Sequence, residues 1–229
     1  SDFSWSELDD ADLHNARLSG AQFNNADLSR ANLQDTELTG VNFAGAVLAF
    51  TDFSRASMTH SWYENIDFTD AIFQQADMER SHFSGADFTR ADLQGARLPG
   101  AVLNRTNLRS TNLRGAELYG SNLAFANMEG SNLNNAILHL ANIGDANLHN
   151  ASLQNSTVTR TRLTGANLSG ANLTDADMSN SLMWFANFSN AVLVRTNLSS
   201  TGLEGAIMDG SDMTDAIVLR CREKAFCVS

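Results

Sequence analysis

Histidine, the side chain best suited to metal binding and to proton transfer near neutral pH, occurs five times in this sequence. The five positions are His14, His60, His82, His139 and His149, and they do not form a metal-binding motif. The glycines stand singly, so no glycine-rich phosphate loop is present, and no Ser, His and Asp set is indicated. The sequence therefore predicts a protein that is not an enzyme, with no catalytic residue, metal or cofactor.

The only two cysteines, Cys221 and Cys227, lie close together near the end of the chain. Two ligands are too few for a structural zinc site, which usually has four. Two interpretations stay open. Either both are free thiols in a terminal cap, or they form a disulfide that fastens the cap and indicates an oxidising compartment.

Acidic residues outnumber basic ones, 26 against 15, and the formal net charge is −11. An acidic chain is a poor general binder of nucleic acid or of an acidic membrane surface. No apolar run approaches the roughly 18 residues of a membrane span. We expect no direct nucleic-acid contact, no membrane and a cytoplasmic location, or an extracytoplasmic one if the cysteines are bonded.

The acidity is concentrated in the first part of the chain. Residues 1–92 hold 16 acidic residues and 5 arginines, whereas residues 93–169 hold 3 acidic residues and 6 arginines. Residues 170–219 are acidic again, with 6 acidic residues and 1 arginine. A partner that reads charge would therefore meet an acidic half and a basic middle.

The element that must position all these side chains is a five-residue repeat. Every fifth residue from Phe3 to Val218 is large and apolar, which gives 44 such centres in unbroken register. Two residues before each centre stands Ala, Ser or Thr, except at Val41 and Ile66. A period of five fits neither a helix nor a strand. It indicates a backbone that turns a corner every five residues around a buried column.

The segments ANLSGANLTDADMSNS and ADLSRANLQDTELTG carry this pattern most clearly, and they resemble the pentapeptide-repeat family. The resemblance covers residues 1–218 and implies an all-β fold, a right-handed quadrilateral β-helix with four repeats per coil and about 11 coils. Residues 219–229 break the pattern and are expected to form a short C-terminal cap. We expect these to be the two parts of the chain.

Four repeats per coil require residues 20 apart to stack. Phe3, Phe23, Phe43, Tyr63 and Phe83 form such a column, which supports the coil length. We name the four sides of the rod after their first centres: the Phe3, Leu8, Leu13 and Leu18 sides. Coils are numbered in steps of 20 residues, so that coil 3 is residues 41–60 and coil 4 is residues 61–80.

Some pentapeptide-repeat proteins of the quinolone-resistance type resemble duplex DNA and engage DNA gyrase or topoisomerase IV. By this resemblance, the acidic half of the chain is the most specific candidate for binding a type II topoisomerase by DNA mimicry. The candidate contacts are Asp27, Asp67, Asp70, Asp87 and Asp92. The chain departs from some of these proteins because it has no inserted loop and its middle is basic.

Two alternatives to the topoisomerase hypothesis stay open. The first is a scaffold or effector-type module that binds a partner through aromatic residues of the Phe3 side, namely Trp62, Phe125, Trp184 and Phe185. The second is an extracytoplasmic structural repeat protein, which bonded cysteines would favour.

The last coil ends on apolar centres that need cover. Met208, Met213 and Val218 face the open end, and Leu219 and Phe226 are the apolar residues of the tail nearest to it. Because so few residues follow Val218, we predict a homodimer joined end to end through residues 203–229, with two-fold symmetry. The alternative is a monomer whose tail folds over its own end.

Overall fold

The computed structural model describes residues 1–220 as one repeating five-residue unit. In each unit the second residue forms an isolated bridge, and the fourth and fifth form a turn, except that Leu219 forms a bridge. Within residues 1–217 thirty-eight bridges, all parallel, join residues 20 apart, from Asp2 with Gln22 to Asn197 with Ile217. Within this range there is no helix and no strand longer than a bridge. The result is the predicted four-sided β-helix without an inserted loop.

The corners depend on a left-handed backbone at the fifth residue of every unit. All 44 of these residues have positive φ, yet only 13 are glycine. A left-handed conformation costs a non-glycine residue roughly 1 kcal/mol or more. Bonds between successive coils hold the corners in place, as where the N–H of Asp10 donates to the Ser29 carbonyl at 3.0 Å.

The core is a column of centres flanked by the small first residues of the units. Every centre from Leu18 to Met208 is buried, and the Ala, Ser and Thr residues between them fill the remaining space. Aromatic centres stack along the axis, with ring centroids 4.9 Å apart for Phe3 and Phe23 and 5.1 Å for Tyr63 and Phe83. Buried hydroxyls are satisfied, because groups such as Thr51 donate to main-chain carbonyls.

The ladder of main-chain bonds is interrupted once within residues 1–220, on the Phe3 and Leu8 sides between coils 3 and 4. The expected bridges of Asn42 with Trp62 and of Val47 with Asp67 are absent. The main-chain N–H groups of Phe43, Gly45, Leu48, Trp62 and Asp67 have no main-chain partner across this boundary, and at the preceding corner the Gly40 N–H donates to Ser61 Oγ at 2.9 Å instead of to a main-chain carbonyl. We call this interruption the coil 3–4 gap.

The gap coincides with the irregular residues of the repeat. Val41 and Ile66, the two aliphatic residues larger than Ala in the small position, lie in the coils on either side of it. Tyr63, the only tyrosine centre, donates its buried hydroxyl to the Leu38 carbonyl at 3.3 Å. The Phe43 and Tyr63 rings are tilted by 32°, with centroids 6.1 Å apart, more than in the neighbouring pairs. Extra volume inside the column therefore separates the two coils.

Candidate protein-interaction surface

The five candidate aspartates lie on two neighbouring sides of the rod. Asp27, Asp67 and Asp87 belong to one column of the Leu8 side, and Asp67 and Asp87 are bridged directly. Asp92 lies on the Leu13 side, and Asp70 lies at the corner between the two sides. The structure thus brings these residues onto one edge of the acidic half.

The column aspartates are held by their own turns. The Ser29 N–H donates to Asp27 at 2.9 Å, and this bond lowers the pKa of the Asp27 carboxyl below its ordinary value. Thr69 and Thr89 donate in the same way to Asp67 and Asp87, at 2.9 and 2.8 Å. The local bonds orient each carboxylate at the surface of the rod.

Asp70 differs from the other four because an arginine of the next coil neutralises it. Arg90 donates to both carboxylate oxygens of Asp70, at 2.8 and 2.6 Å. The same bidentate contact, always between corner residues 20 apart, recurs three times in residues 1–220. These pairs are Arg30 with Asp10, Arg55 with Asp35 and Arg195 with Asp175. Asp70 is therefore better placed to join coils than to attract a partner.

The sides of the rod differ in how many of their carboxylates are paired with arginines. On the Leu18 side, Arg97 contacts Asp77, Glu79 and Glu117. On the Leu8 and Leu13 sides, seven carboxylates of the first five coils make no hydrogen bond or ion pair with an arginine of residues 1–220, although Arg30, Arg55 and Arg90 act on Asp27, Asp52 and Asp87 at longer range. We call these seven the acidic face: Glu7, Asp12, Asp27, Asp52, Asp67, Asp87 and Asp92. Sequence counts alone could not show this sidedness.

The aromatic candidates share the Phe3 side but lie in different coils. Trp62 in coil 4 stacks on His82, with ring centroids 5.4 Å apart. Phe125 in coil 7 lies under the Arg105 guanidinium, 5.9 Å from ring centroid to carbon. Trp184 and Phe185 lie together in coil 10. The four residues do not form one patch.

The coil 10 pair is seated over glycines of coil 11. The Trp184 indole covers Gly202, and the Phe185 ring covers Gly205. Trp184 also lines a shallow groove of about 220 Å³ with Leu182, Ser200 and Thr201. Phe185 remains 65% exposed. Among the aromatic candidates, this pair alone combines two adjacent rings with a groove beside them.

Two exposed apolar groups escaped the sequence prediction. Val47 and Phe50 in coil 3 are 48% and 56% exposed beside the acidic face. On the Leu18 side, Tyr119 stacks on His139 at 5.7 Å and lines a groove of about 280 Å³ with Pro99. The sequence feature that could have indicated the exposed group at coil 3 is Phe50, because it occupies a corner position where Gly, Asn and Asp are more common.

Eight matches to the family model of pentapeptide repeats cover almost all of these coils. They span residues 1–35, 36–61, 64–100, 86–123, 101–139, 116–156, 141–180 and 176–215. The chain belongs to the pentapeptide-repeat family. The predicted family is therefore confirmed. The family is described by its repeats alone, without an activity or a partner.

Solved pentapeptide-repeat structures share this fold. HetL, from the cyanobacterium Nostoc sp. strain PCC 7120 and involved in heterocyst differentiation regulation, has a TM-score of 0.74. It is 26% identical, over 95% of this chain and 89% of HetL. Full-length QnrB1, a plasmid-mediated fluoroquinolone resistance protein, has a TM-score of 0.37 and 19% identity over 94% of this chain and 90% of its own. A thylakoid-lumen protein of Arabidopsis thaliana has a TM-score of 0.39 and 31% identity over 40% of this chain and 64% of its own. A search of curated protein sequences finds no match.

Three of the five histidines of the pentapeptide-repeat rod have separate local polar partners. His14 contacts Asp12 at 2.8 Å, His139 contacts Thr159 at 2.5 Å, and His149 contacts Ser169 at 2.9 Å. Residues 1–220 contain no cluster of three or more His, Cys, Asp or Glu that could hold a metal ion. They also contain no helix that could cross a bilayer.

The C-terminal end of the rod keeps apolar groups at its surface. Met213 and Val218 are only partly buried, and Ile207, Ile217 and Leu219 are exposed. Cys221, Cys227 and Phe226 lie outside the described residues, so the cap and the disulfide stay predictions. The apolar coil end is compatible with the predicted dimer.

Proposed function

We propose that the protein is a non-enzymatic interaction rod whose acidic face binds a basic surface on a protein partner. The main support is the uneven distribution of ion pairs around the rod. The seven carboxylates of the acidic face, on two adjacent sides of coils 1–5, form no ion pair with an arginine of residues 1–220, whereas those of the Leu18 side do. Complementary charge raises association rates and selects partners. The similarity to HetL, which is involved in regulation, supports a role exercised by binding.

The most specific candidate partner is the DNA-binding groove of a type II topoisomerase such as DNA gyrase. Residues 1–92 carry a net charge of −11 over 4.6 coils. At about 4.8 Å per coil, this is about one net negative charge per 2 Å of axis, close to the one per roughly 1.7 Å of duplex DNA. The acidic half would then occupy the groove as a DNA segment does.

Purified gyrase tests this proposal by direct binding and by its supercoiling rate. The variant D27N/D67N/D87N removes three charges, while Asn occupies the same column from Asn107 to Asn187 and keeps the turn bonds. The control D209N/D212N/D215N removes three charges from coil 11. We expect the first variant to bind at least about tenfold more weakly and the control to bind like the wild type, with binding weakened by salt. No binding at low salt, or equal loss in both variants, would contradict the proposal.

A second candidate function is a scaffold that uses the coil 10 aromatics. The observation that favours it is the seating of Trp184 and Phe185 over two glycines beside a groove. A photo-reactive phenylalanine at position 185 tests it in cells that express the protein, with position 125 as the control. We expect one discrete cross-linked species from position 185 alone. Cross-linking from neither position, or equally from both, would contradict this candidate.

A cytoplasmic location is part of the proposal. Cysteines of cytosolic proteins usually stay reduced. A mass spectrum of the alkylated protein purified from cells should show both cysteines modified as free thiols. A disulfide between Cys221 and Cys227 would favour the extracytoplasmic structural alternative.

A further inference from the structure

We propose that coil 3 and the start of coil 4 anchor an apolar side chain of the partner, flanked by that partner's arginines or lysines. The site is formed by Val47, Phe50 and Trp62 with the small residues between them, and it rests on the proposed acidic-face function. It differs from that function by requiring an apolar group at its centre. Several independent observations place it there.

The first observation is the composition of coil 3. Residues 43–50 read FAGAVLAF, the longest run in the sequence without a polar side chain. Phe43, Ala46 and Leu48 are buried, so the surface of this segment consists of Ala44, Gly45, Val47, Ala49 and Phe50. Elsewhere in the first five coils, the second positions of the Leu8 side are Glu or Asp. Val47 therefore replaces a carboxylate in the middle of the acidic column.

The second observation is the clustering of exposed large apolar side chains. Within residues 1–92 these are Trp5, Val47, Phe50 and Trp62, and three of the four lie in coils 3 and 4. Trp62 is 66% exposed, around the corner from Val47. Large aromatic groups surrounded by polar ones are typical of the centres of protein interfaces.

The third observation is the charge around this patch. Asp27 precedes Val47 in the Leu8 column and Asp67 follows it, while Asp52 lies on the adjoining Leu13 side and Glu64 adjoins Trp62. None of these four carboxylates pairs with an arginine within residues 1–220. An apolar centre with an acidic rim is complementary to a partner segment that has an apolar side chain flanked by arginines or lysines. It is less complementary to a partner segment in which every side chain is basic.

The fourth observation is the coil 3–4 gap, which underlies the patch. Main-chain N–H groups of Phe43, Gly45 and Leu48 have no partner on coil 4. Unpaired backbone groups are costly to bury and must be satisfied by water or by a bound molecule. Departures from the local rules of a fold are typical of functional or strained sites. The patch thus lies where the ladder of main-chain bonds is interrupted.

Two fluorescein-labelled peptides test the anchor by fluorescence anisotropy. The first has a central Leu-Phe pair flanked by four arginines on each side, and the second has Ser-Ser at the centre. The test variant is V47N/F50N/W62N, in which each Asn matches residues of the same column or corner, such as Asn107, Asn150 and Asn122. The control variant W5N/L140N removes two exposed apolar side chains elsewhere, where the same corners hold Asn25 and Asn180.

We expect the wild type to bind the Leu-Phe peptide about tenfold more tightly than the Ser-Ser peptide. The test variant should bind both peptides with the affinity of the Ser-Ser peptide, and the control should keep the preference. Equal binding of both peptides by the wild type would overturn the anchor and leave the acidic-face function standing. Binding of neither peptide would overturn both. A preference that survives in V47N/F50N/W62N would overturn the location.

Discussion

The indole of Trp184 lies on the backbone of Gly202, so that a β-carbon at position 202 would meet the indole Nε1 at 2.6 Å. Gly202 does not have positive φ, so the requirement for glycine here is space rather than conformation. The Trp184 side chain, 37% exposed, is held down by this contact.

Replacing Gly202 by Ala should displace the indole. We expect a loss of about 1 kcal/mol in the free energy of unfolding, since overpacking usually costs roughly 1–3 kcal/mol. Iodide should also quench Trp184 fluorescence more strongly in a W5F/W62F background. The control is G144A, since Gly144 also lacks positive φ and its nearest contact is 3.3 Å. Equal effects of G202A and G144A would contradict the steric explanation.

The coil 3–4 gap predicts a local difference in hydrogen exchange. The amides of Phe43, Leu48 and Trp62 should exchange faster than those of Phe23, Leu28 and His82, which are bonded between coils. Exchange measured by NMR or by peptide mass spectrometry resolves the two groups. Equal protection in both groups would show that the ladder is continuous in solution.

Removing the excess volume should close the gap. In V41A/I66A the small positions of coils 3 and 4 have the residue most common elsewhere, and we expect slower exchange of the Phe43 and Leu48 amides. The substitutions remove buried apolar groups, which lowers the free energy of unfolding, and restore hydrogen bonds, which raises it. Because these effects oppose each other, hydrogen exchange is the decisive measurement. The control V192A shortens an apolar residue in a different position of the repeat and should leave these amides unchanged.

The bidentate arginine pairs predict how stability depends on pH. The Arg30, Arg55 and Arg195 hydrogen bonds lower the pKa of the Asp10, Asp35 and Asp175 carboxyls. Their contribution is therefore present above the ordinary Asp value of about 3.9 and is lost as the pH falls through the lowered folded-state pKa. Melting curves should show R30Q/R55Q/R195Q below the wild type at pH 7, and the difference should shrink as the pH is lowered below about 3.9. A difference that stays constant as the pH falls would contradict the assignment.

The predicted end-to-end dimer can be tested with a matched pair of substitutions. Ile217 and Ile137 occupy the same column of the Leu18 side, one at the last coil and one in the middle, and both are exposed. Light scattering at micromolar concentration should give twice 24.8 kDa for the wild type and for I137N, but a monomer for I217N or after deletion of residues 219–229. A monomeric wild type would contradict the dimer.

The fold was predictable because the period of five is unbroken and each residue type has one place in it. The stacking of Tyr63 on Phe83 and the bridge of Asp67 with Asp87 follow directly from the 20-residue coil. The pairing of Asp70 with Arg90 was encoded at the same spacing, although net charge per segment conceals it.

The irregular features were less predictable from the sequence. Val41 and Ile66 indicated a disturbance, but its extent depends on how far two whole coils separate around Tyr63. The exposure of Phe50 depends on the corner conformation, which a single repeat pattern does not reveal. Both required the positions of neighbouring coils.

The 20-residue coil also fixes the axial distance between surface residues of one column to whole multiples of the coil spacing. Phe50 in coil 3 and Phe185 in coil 10 are seven coils apart, a distance of roughly 34 Å along the axis at one strand spacing per coil. Excising residues 121–140 would bring the two surfaces one coil closer and keep every column in register, whereas excising 5, 10 or 15 residues would rotate one surface relative to the other. A partner that touches both surfaces would therefore measure length in steps of about 4.8 Å.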